Sequence, residues 1–195
     1  MQIIPLTSKN FQAVVEIAGR TIRAGGIVIA PTDTVYGLLA DATNKKAVDK
    51  IYQIKQRQSD KPLPIFVKNI AMAKKLAKIS NKNRKILETK WPGKFTAVFP
   101  KKNVKLFGVG DKTTALRIPH YPFINSLLET LNIPLIGTSA NISGQPSTTK
   151  IDDVLNQFKN IKIALDLVIN AGDLPDSNPS AIVCLVQSKP KIIRS

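Results

Sequence analysis

The chain has 195 residues, with 29 Lys/Arg against 13 Asp/Glu, a formal net charge of +16 and a pI near 10.1. One cysteine, Cys184, and one histidine, His120, exclude an internal disulfide and a multi-histidine zinc site, and no apolar run reaches the roughly 18 residues of a membrane span. These bounds predict one domain over residues 1–195 with no additional C-terminal domain, no signal peptide, a cytoplasmic location and a polyanionic partner. The charge is concentrated: residues 45–105 hold 18 of the 29 cations and three acids, Asp49, Asp60 and Glu88.

In chain order, residues 2–6 read as a short edge strand, because Pro5 removes a donor. Ser8 or Asn10 caps a helix to about Ala24, with Phe11, Val14, Val15, Ala18 and Ile22 on one face. Gly25-Gly26 stops it, and Ile27–Ala30 is a buried strand leading into Pro-Thr-Asp-Thr-Val-Tyr-Gly, residues 31–37. A helix over 45–54 runs into Lys-Gln-Arg-Gln-Ser-Asp-Lys-Pro, residues 55–62. A strand at 63–67 follows, then a helix over 70–79 capped by Asn69 and another over 81–90. Trp91-Pro92-Gly93 is a hard break between that helix and a strand at 95–99.

Thr113–Ile118 is a strand carrying Arg117, and Pro122 opens a helix to Leu131. Pro134–Ile136 is a short strand that empties into a loop dense in Ser, Thr and Asn. Thr149, with Asp152 three residues on, forms a partial capping box for a helix over 151–158. Strands at 163–169, 181–186 and 191–194 close the chain, with Cys184 in the core. Strands and helices mix without strict alternation. The fold class is α/β (α+β-like): a twisted, open, mixed sheet with flanking helices.

Four loops carry more polarity than packing requires. The first holds Thr32, Asp33, Thr34 and Tyr36. The second bends Lys55, Arg57 and Lys61 around one turn, a guanidinium fork with two point charges, which is the chemistry of phosphate recognition. The third feature is Arg117 in the apolar strand Ala-Leu-Arg-Ile-Pro, which is either half-exposed or lines a cavity and binds a carboxylate. The fourth is Thr138, Ser139, Asn141, Ser143, Gln145 and Ser147, hydroxyls and backbone donors after a strand. There is no G-x-x-x-x-G-K-[ST] and no dinucleotide fingerprint, so a nucleotide would be held without either cradle. His120 reads as a turn residue after Pro119, and no paired carboxylates suggest a metal cage.

Taken together, Pro-Thr-Asp-Thr-Val-Tyr-Gly-Leu (31–38), Lys-Gln-Arg with Lys61, Trp-Pro-Gly (91–93), Leu-Arg-Ile-Pro (116–119) and Thr-Ser-Ala-Asn-Ile-Ser-Gly (138–144) resemble the YrdC/TsaC family, the threonylcarbamoyl-AMP synthases of tRNA modification. The resemblance implies a curved sheet around a deep basic cavity. It also implies a reaction in which ATP, L-threonine and bicarbonate give threonylcarbamoyl-AMP and pyrophosphate. Mg²⁺ is carried by the phosphates, and no protein metal site is expected. The product goes to a tRNA threonylcarbamoyl transferase complex, for N6-threonylcarbamoyladenosine at position 37 of tRNAs reading ANN codons.

By the same resemblance Lys55, Arg57, Ser139 and Asn141 form the catalytic signature. Arg57, Lys61, Thr113, Ser139, Ser147 and Arg194 contact ATP, while Thr34, Arg117, Gly137, Thr138 and Ser180 hold threonine. The chain departs from the family at Gln58, where Pro is usual, and at Ala181 and Cys184 after Ser180. A rival reading from the charge is a double-stranded RNA- or tRNA-binding, ribosome-maturation protein with a vestigial nucleotide site. A third is a carbamoyl-transfer module like that of hydrogenase maturation proteins.

Overall fold

The computed structural model describes residues 1–161, 163, 165–187 and 189–195. In chain order the elements are β1 (Gln2–Pro5), α1 (Phe11–Arg23), β2 (Val28–Ala30), β3 (Gly37–Asp41), α2 (Lys45–Ile54), β4 (Ile65–Phe66), α3 (Ile70–Leu76), α4 (Asn81–Glu88), β5 (Phe95–Pro100), β6 (Thr113–Arg117), α5 (Pro122–Leu131), β7 (Leu135–Ser139), α6 (Ile151–Phe158), β8 (Leu167–Asn170), β9 (Ala181–Cys184) and β10 (Lys191–Arg194). Among the described residues the ten strands form one sheet in the order β1-β8-β2-β3-β7-β4-β6-β5-β9-β10, with parallel and antiparallel pairs mixed. The expected mixed α/β sheet is the one found.

The two-residue period of the strands sorts side chains between two cores. Ile29, Leu38, Ala40, Ile65 and Ile136 point to the face covered by α2, α3, α4 and α6. Their neighbours Val28, Ala30, Leu39, Phe66 and Leu135 point to the other face, where α1 and α5 pack. Those two helices cover the β1–β7 half of that face. Over the rest of it, strand side chains that would meet a helix meet a cavity instead. On β6, Leu116 is core while Thr113, Ala115 and Arg117 line the cavity.

Local chemistry sets the helix boundaries. Asn44, Asn69 and Ser80 accept from Ala47 N, Met72 N and Asn83 N at the starts of α2, α3 and α4. Pro122 opens α5, and Asn132 ends it in the left-handed region (φ 53°).

Several sequence expectations are corrected. Thr149 does not cap α6. It is buried, its carbonyl accepts from Leu174 N, and the distant Asp173 Oδ1 accepts from Ile151 N. The strand β3, to most of which the sequence reading gave no element, is held by pairing with β2 on one side and β7 on the other. Cys184 is half-buried, because β9 is followed in the sheet by the exposed edge strand β10. Of the strand expected at 163–169, residue 164 lies outside the described residues, and β8 begins at Leu167.

Candidate active site

The cavity has a volume of about 500 Å³, and its floor is the open face of β7, β4, β6, β5 and β9. Eleven of the sequence-predicted site residues line it: Thr34, Lys55, Arg57, Thr113, Arg117, Gly137, Thr138, Ser139, Asn141, Ser180 and Arg194. Residues from six separate segments therefore converge. The structure leaves two predicted residues off the lining. Lys61 is exposed, with its carbonyl turned back to accept from Tyr52 OH and Arg57 Nε. Ser147 lines an adjoining shallow depression with Thr148, Lys150 and Asp176.

Helix α2 delivers the first cations. Arg57 N donates to Tyr52 O and Gln56 N to Gln53 O, while Gln56 takes the left-handed φ of 49°. That is a Schellman ending with glutamine where glycine is usual, and it turns the chain sharply at the rim. Arg57 then donates Nε to Lys61 O and NH2 to Pro62 O, which sets its guanidinium across the bend it follows.

Lys55, only 2% exposed, turns the other way. Its Nζ donates to Ser139 O (2.6 Å), Asn141 O (2.8 Å) and Asn141 Oδ1 (3.1 Å), and its own carbonyl accepts from Ser143 N. Burial first, and then the nearby Arg57 charge, pull its ammonium down from 10.5 to about 7. The three surrounding oxygens work the other way, because only the ammonium can donate to all of them.

Asn141 knits the Ser/Asn loop together. Its Oδ1 accepts from Lys55 and from Ser139 Oγ (2.6 Å), and its Nδ2 donates to Ile142 O and Gln145 O. Since Oδ1 can only accept, Ser139 spends its proton on it and shows the cavity only lone pairs. To donate to a phosphate oxygen, the Ser139 hydroxyl must rotate away from Asn141.

Across the floor, Arg117 is buried in an otherwise apolar strand because its donors are engaged. Nε donates to Gly93 O (3.0 Å), NH1 to Thr34 Oγ1 (3.4 Å) and NH2 to Asp33 Oδ1 (2.6 Å). The sequence reading left open whether Arg117 was half-exposed; it is buried and lines the cavity. Burial lowers its pKa and the Asp33 carboxylate raises it.

Thr32 Oγ1 donates to Val35 O, so the contact between the two hydroxyls has Thr34 as donor, and Thr34 likewise offers the cavity only an acceptor. Phe66 lies beneath, its ring centroid 5.6 Å from the Arg117 guanidinium carbon, pressed against Gly137. A Cβ at 137 would come within 2.5 Å of the ring. The far wall is Ser180, whose hydroxyl pairs with Thr96 (2.8 Å) and whose carbonyl accepts both Nε and NH2 of Arg194.

Sequence reading missed three members of this arrangement. Asp33 carries the ion pair, Tyr36 ties down a second loop, and Phe66 gives the floor an apolar patch. Asp33 and Tyr36 lay in a loop already marked as polar, but nothing local distinguished them. Tyr36 is fully buried, donating OH to Gly172 O (2.6 Å) and accepting from Ala171 N, and burial raises its pKa to about 12. His120 offers the site only its backbone N–H, to Asp33 Oδ2, and its ring is exposed. Among the described residues no group of three or more His, Cys, Asp or Glu is placed to hold a metal, and no helix is long and apolar enough to cross a membrane.

The arrangement joins Lys55 and Arg57, beside the Ser/Asn loop, to Arg117, Thr34 and Phe66, with Arg194 bound to Ser180 on the far wall. A family model described as telomere recombination, Sua5/YciO/YrdC, matches residues 20–195. A protein of Methanocaldococcus jannaschii carried as a candidate threonylcarbamoyl-AMP synthase is 36% identical, over 97% of this chain and 88% of its own. Among solved structures, a doubly substituted Pyrococcus abyssi Sua5 is similar with a TM-score of 0.91 and 33% identity over all of this chain. The same protein complexed with L-threonine gives a TM-score of 0.87 and 31% identity over 99%. This chain spans 57% and 56% of those two chains.

Proposed function

The chain belongs to the Sua5/YciO/YrdC family, and from that premise we propose that it is a threonylcarbamoyl-AMP synthase. It uses ATP, L-threonine and bicarbonate and releases pyrophosphate. The observation that carries this reading is that Lys55, Arg57, Ser139 and Asn141, distant in sequence, share one cavity wall opposite a buried arginine. The names of relatives and the threonine complex of the Pyrococcus abyssi protein support it.

The chemistry follows from these groups. The threonine amine takes up bicarbonate, losing water, to give a carbamate. A carbamate oxygen then attacks the α-phosphorus of ATP, the bond to the β-phosphate oxygen breaks, and pyrophosphate leaves. Positioning and charge stabilisation are the protein's share of such a transfer.

Arg57 and Arg194 hold phosphates by charge-assisted hydrogen bonds, with Thr113 and Ser139 beside them and Lys61 and Ser147 reaching in from the rim. Arg117 takes the threonine carboxylate on its remaining donors, Thr34 accepts from the amine or hydroxyl, and Gly137–Thr138 and Ser180 close round the rest. Lys55 and Asn141 fix the loop that presents Ser139. Mg²⁺ would come with the phosphates, since among the described residues the lining offers hydroxyls and carbonyls but no carboxylate.

The product then supplies the threonylcarbamoyl group for position 37 of ANN-decoding tRNAs through a transferase complex, in the cytoplasm. Exposed Lys74, Lys75, Lys78 and Lys85 on α3, α4 and the link between them favour an accompanying contact with RNA. The test is pyrophosphate release from ATP and Mg²⁺, with threonine and bicarbonate added singly and together. Release that needs both, without tRNA, is expected. Release that ignores threonine, or needs carbamoyl phosphate, overturns the reading.

A further inference from the structure

Four cations line the cavity, and they are not equivalent. Lys55 meets two carbonyls and an amide oxygen, Arg57 two carbonyls, and Arg194 the single carbonyl of Ser180. All of these partners are neutral, so among the described residues none of these three side chains is paired with a carboxylate. Arg117 alone among them meets a carboxylate in the described residues. Its NH2 lies 2.6 Å from Asp33 Oδ1, and the side chains are 4% and 8% exposed. Asp33 Oδ2 is held by His120 N at 3.0 Å, so the carboxylate is fixed at both oxygens. Among the described residues no acid side chain lines the cavity itself. Of the four cations Arg117 is thus the one already neutralised, with Arg194 near enough for its charge to bear on it.

We propose that Asp33 is a specificity-determining residue: it neutralises Arg117, so that polyphosphate is refused at that guanidinium and a zwitterion is admitted. Without that carboxylate, Arg117 would add a further uncompensated cation within the same 500 Å³. ATP or pyrophosphate could then lie across the whole cavity and block the amino acid. With Asp33 in place, a multiply charged phosphate meets a buried anion behind Arg117. A single carboxylate with its own ammonium nearby meets a matched dipole. This is discrimination by a repulsive element rather than by an added attraction. It rests on the reading above for the identity of the two ligands, and not for the neutralisation of Arg117.

The experiment is calorimetric titration of L-threonine and inorganic pyrophosphate into the whole chain and into Asp33→Asn. In the unaltered protein, one pyrophosphate per chain is expected, with threonine affinity unchanged at saturating pyrophosphate. In Asp33→Asn, a second pyrophosphate binds, threonine displaces it, and apparent threonine affinity falls about tenfold or more when pyrophosphate is present. Competition between the two ligands in the unaltered protein overturns the proposal. So does an Asp33→Asn protein with one pyrophosphate site, or one in which both ligands merely weaken together, as a purely structural role would give. If Asp33→Asn does not fold, the competition result in the unaltered protein decides alone. Failure of threonine to bind the unaltered protein would sink the proposed activity, while pyrophosphate stoichiometry would still test the role of Asp33.

Discussion

Lys55 grips Asn141 twice, with Nζ 2.8 Å from its main-chain carbonyl and 3.1 Å from its side-chain oxygen. A helix C-terminus is thereby fastened to the loop leaving β7, and the orientation of Asn141 fixes which way Ser139 points. Lys55→Met keeps the bulk and removes the donors, leaving buried carbonyls without a partner. We expect a loss of about 2 kcal/mol in urea denaturation and loss of threonine-dependent pyrophosphate release.

The same lysine gives stability a pH dependence of known sign. Its pKa is lowered to about 7 in the fold and returns to about 10.4 on unfolding. Between those values the unfolded chain binds the proton and the folded chain does not, so this group's contribution rises with pH. Tyr36, raised to about 12 in the fold, opposes it only above about 10, where the unfolded phenol ionises. Urea midpoints measured from pH 7 to 9.5 should rise more steeply for the unaltered protein than for Lys55→Met. Equal slopes would remove Lys55 as the cause.

Tyr36→Phe deletes the hydroxyl that joins Gly172 O and Ala171 N. The loop from 171 to 180 carries Ser180, so loosening it should act on the amino-acid end. The expected result is about 1–2 kcal/mol of lost stability and a KM for threonine raised more than that for ATP. Steady-state kinetics with each substrate varied in turn check it.

Gly137→Ala places a methyl against the Phe66 ring, with the nearest ring carbons 2.5 Å away. Either the ring or β7 must move, at a cost of about 1–3 kcal/mol. The double variant with Phe66→Leu should recover part of that loss, because the collision is with one side chain and not with backbone. Thermal unfolding of the two single variants and the double one measures the coupling.

Arg57→Ala should abolish pyrophosphate release while leaving affinity for an RNA duplex nearly unchanged. Exchanging Lys74, Lys75, Lys78 and Lys85 for Ala should do the reverse, lowering RNA affinity and flattening its salt dependence. If Arg57→Ala weakens both equally, the nucleotide and RNA surfaces are one.

Much of this architecture was legible because local signals agreed with the tertiary outcome. Helix α5 runs from Pro122 to Leu131, as its opening proline and apolar spacing require, and Asn69 caps α3 as its position suggested. What escaped was long-range. Gly-Leu-Leu-Ala-Asp, residues 37–41, has no strong strand preference and becomes β3 because β2 and β7 bracket it. Likewise the cap of α6 comes from Asp173, 22 residues onward.

The site followed the same division. Its loops were readable by residue type, and their identity by resemblance. That Arg117 is already spoken for by Asp33, 84 positions away, belongs to the fold and not to the string.

The uncovered half of the sheet has a consequence for motion. On the α1/α5 face, β2 and β3 lie under packed side chains, whereas β5, β6 and β9 face an opening of about 500 Å³ and β10 is exposed along its length. Amide protons of β9 and β10 should therefore exchange with solvent sooner than those of β2 and β3. Bound substrates would slow that exchange by filling the layer that no helix supplies. In that sense the nucleotide and the amino acid finish the core.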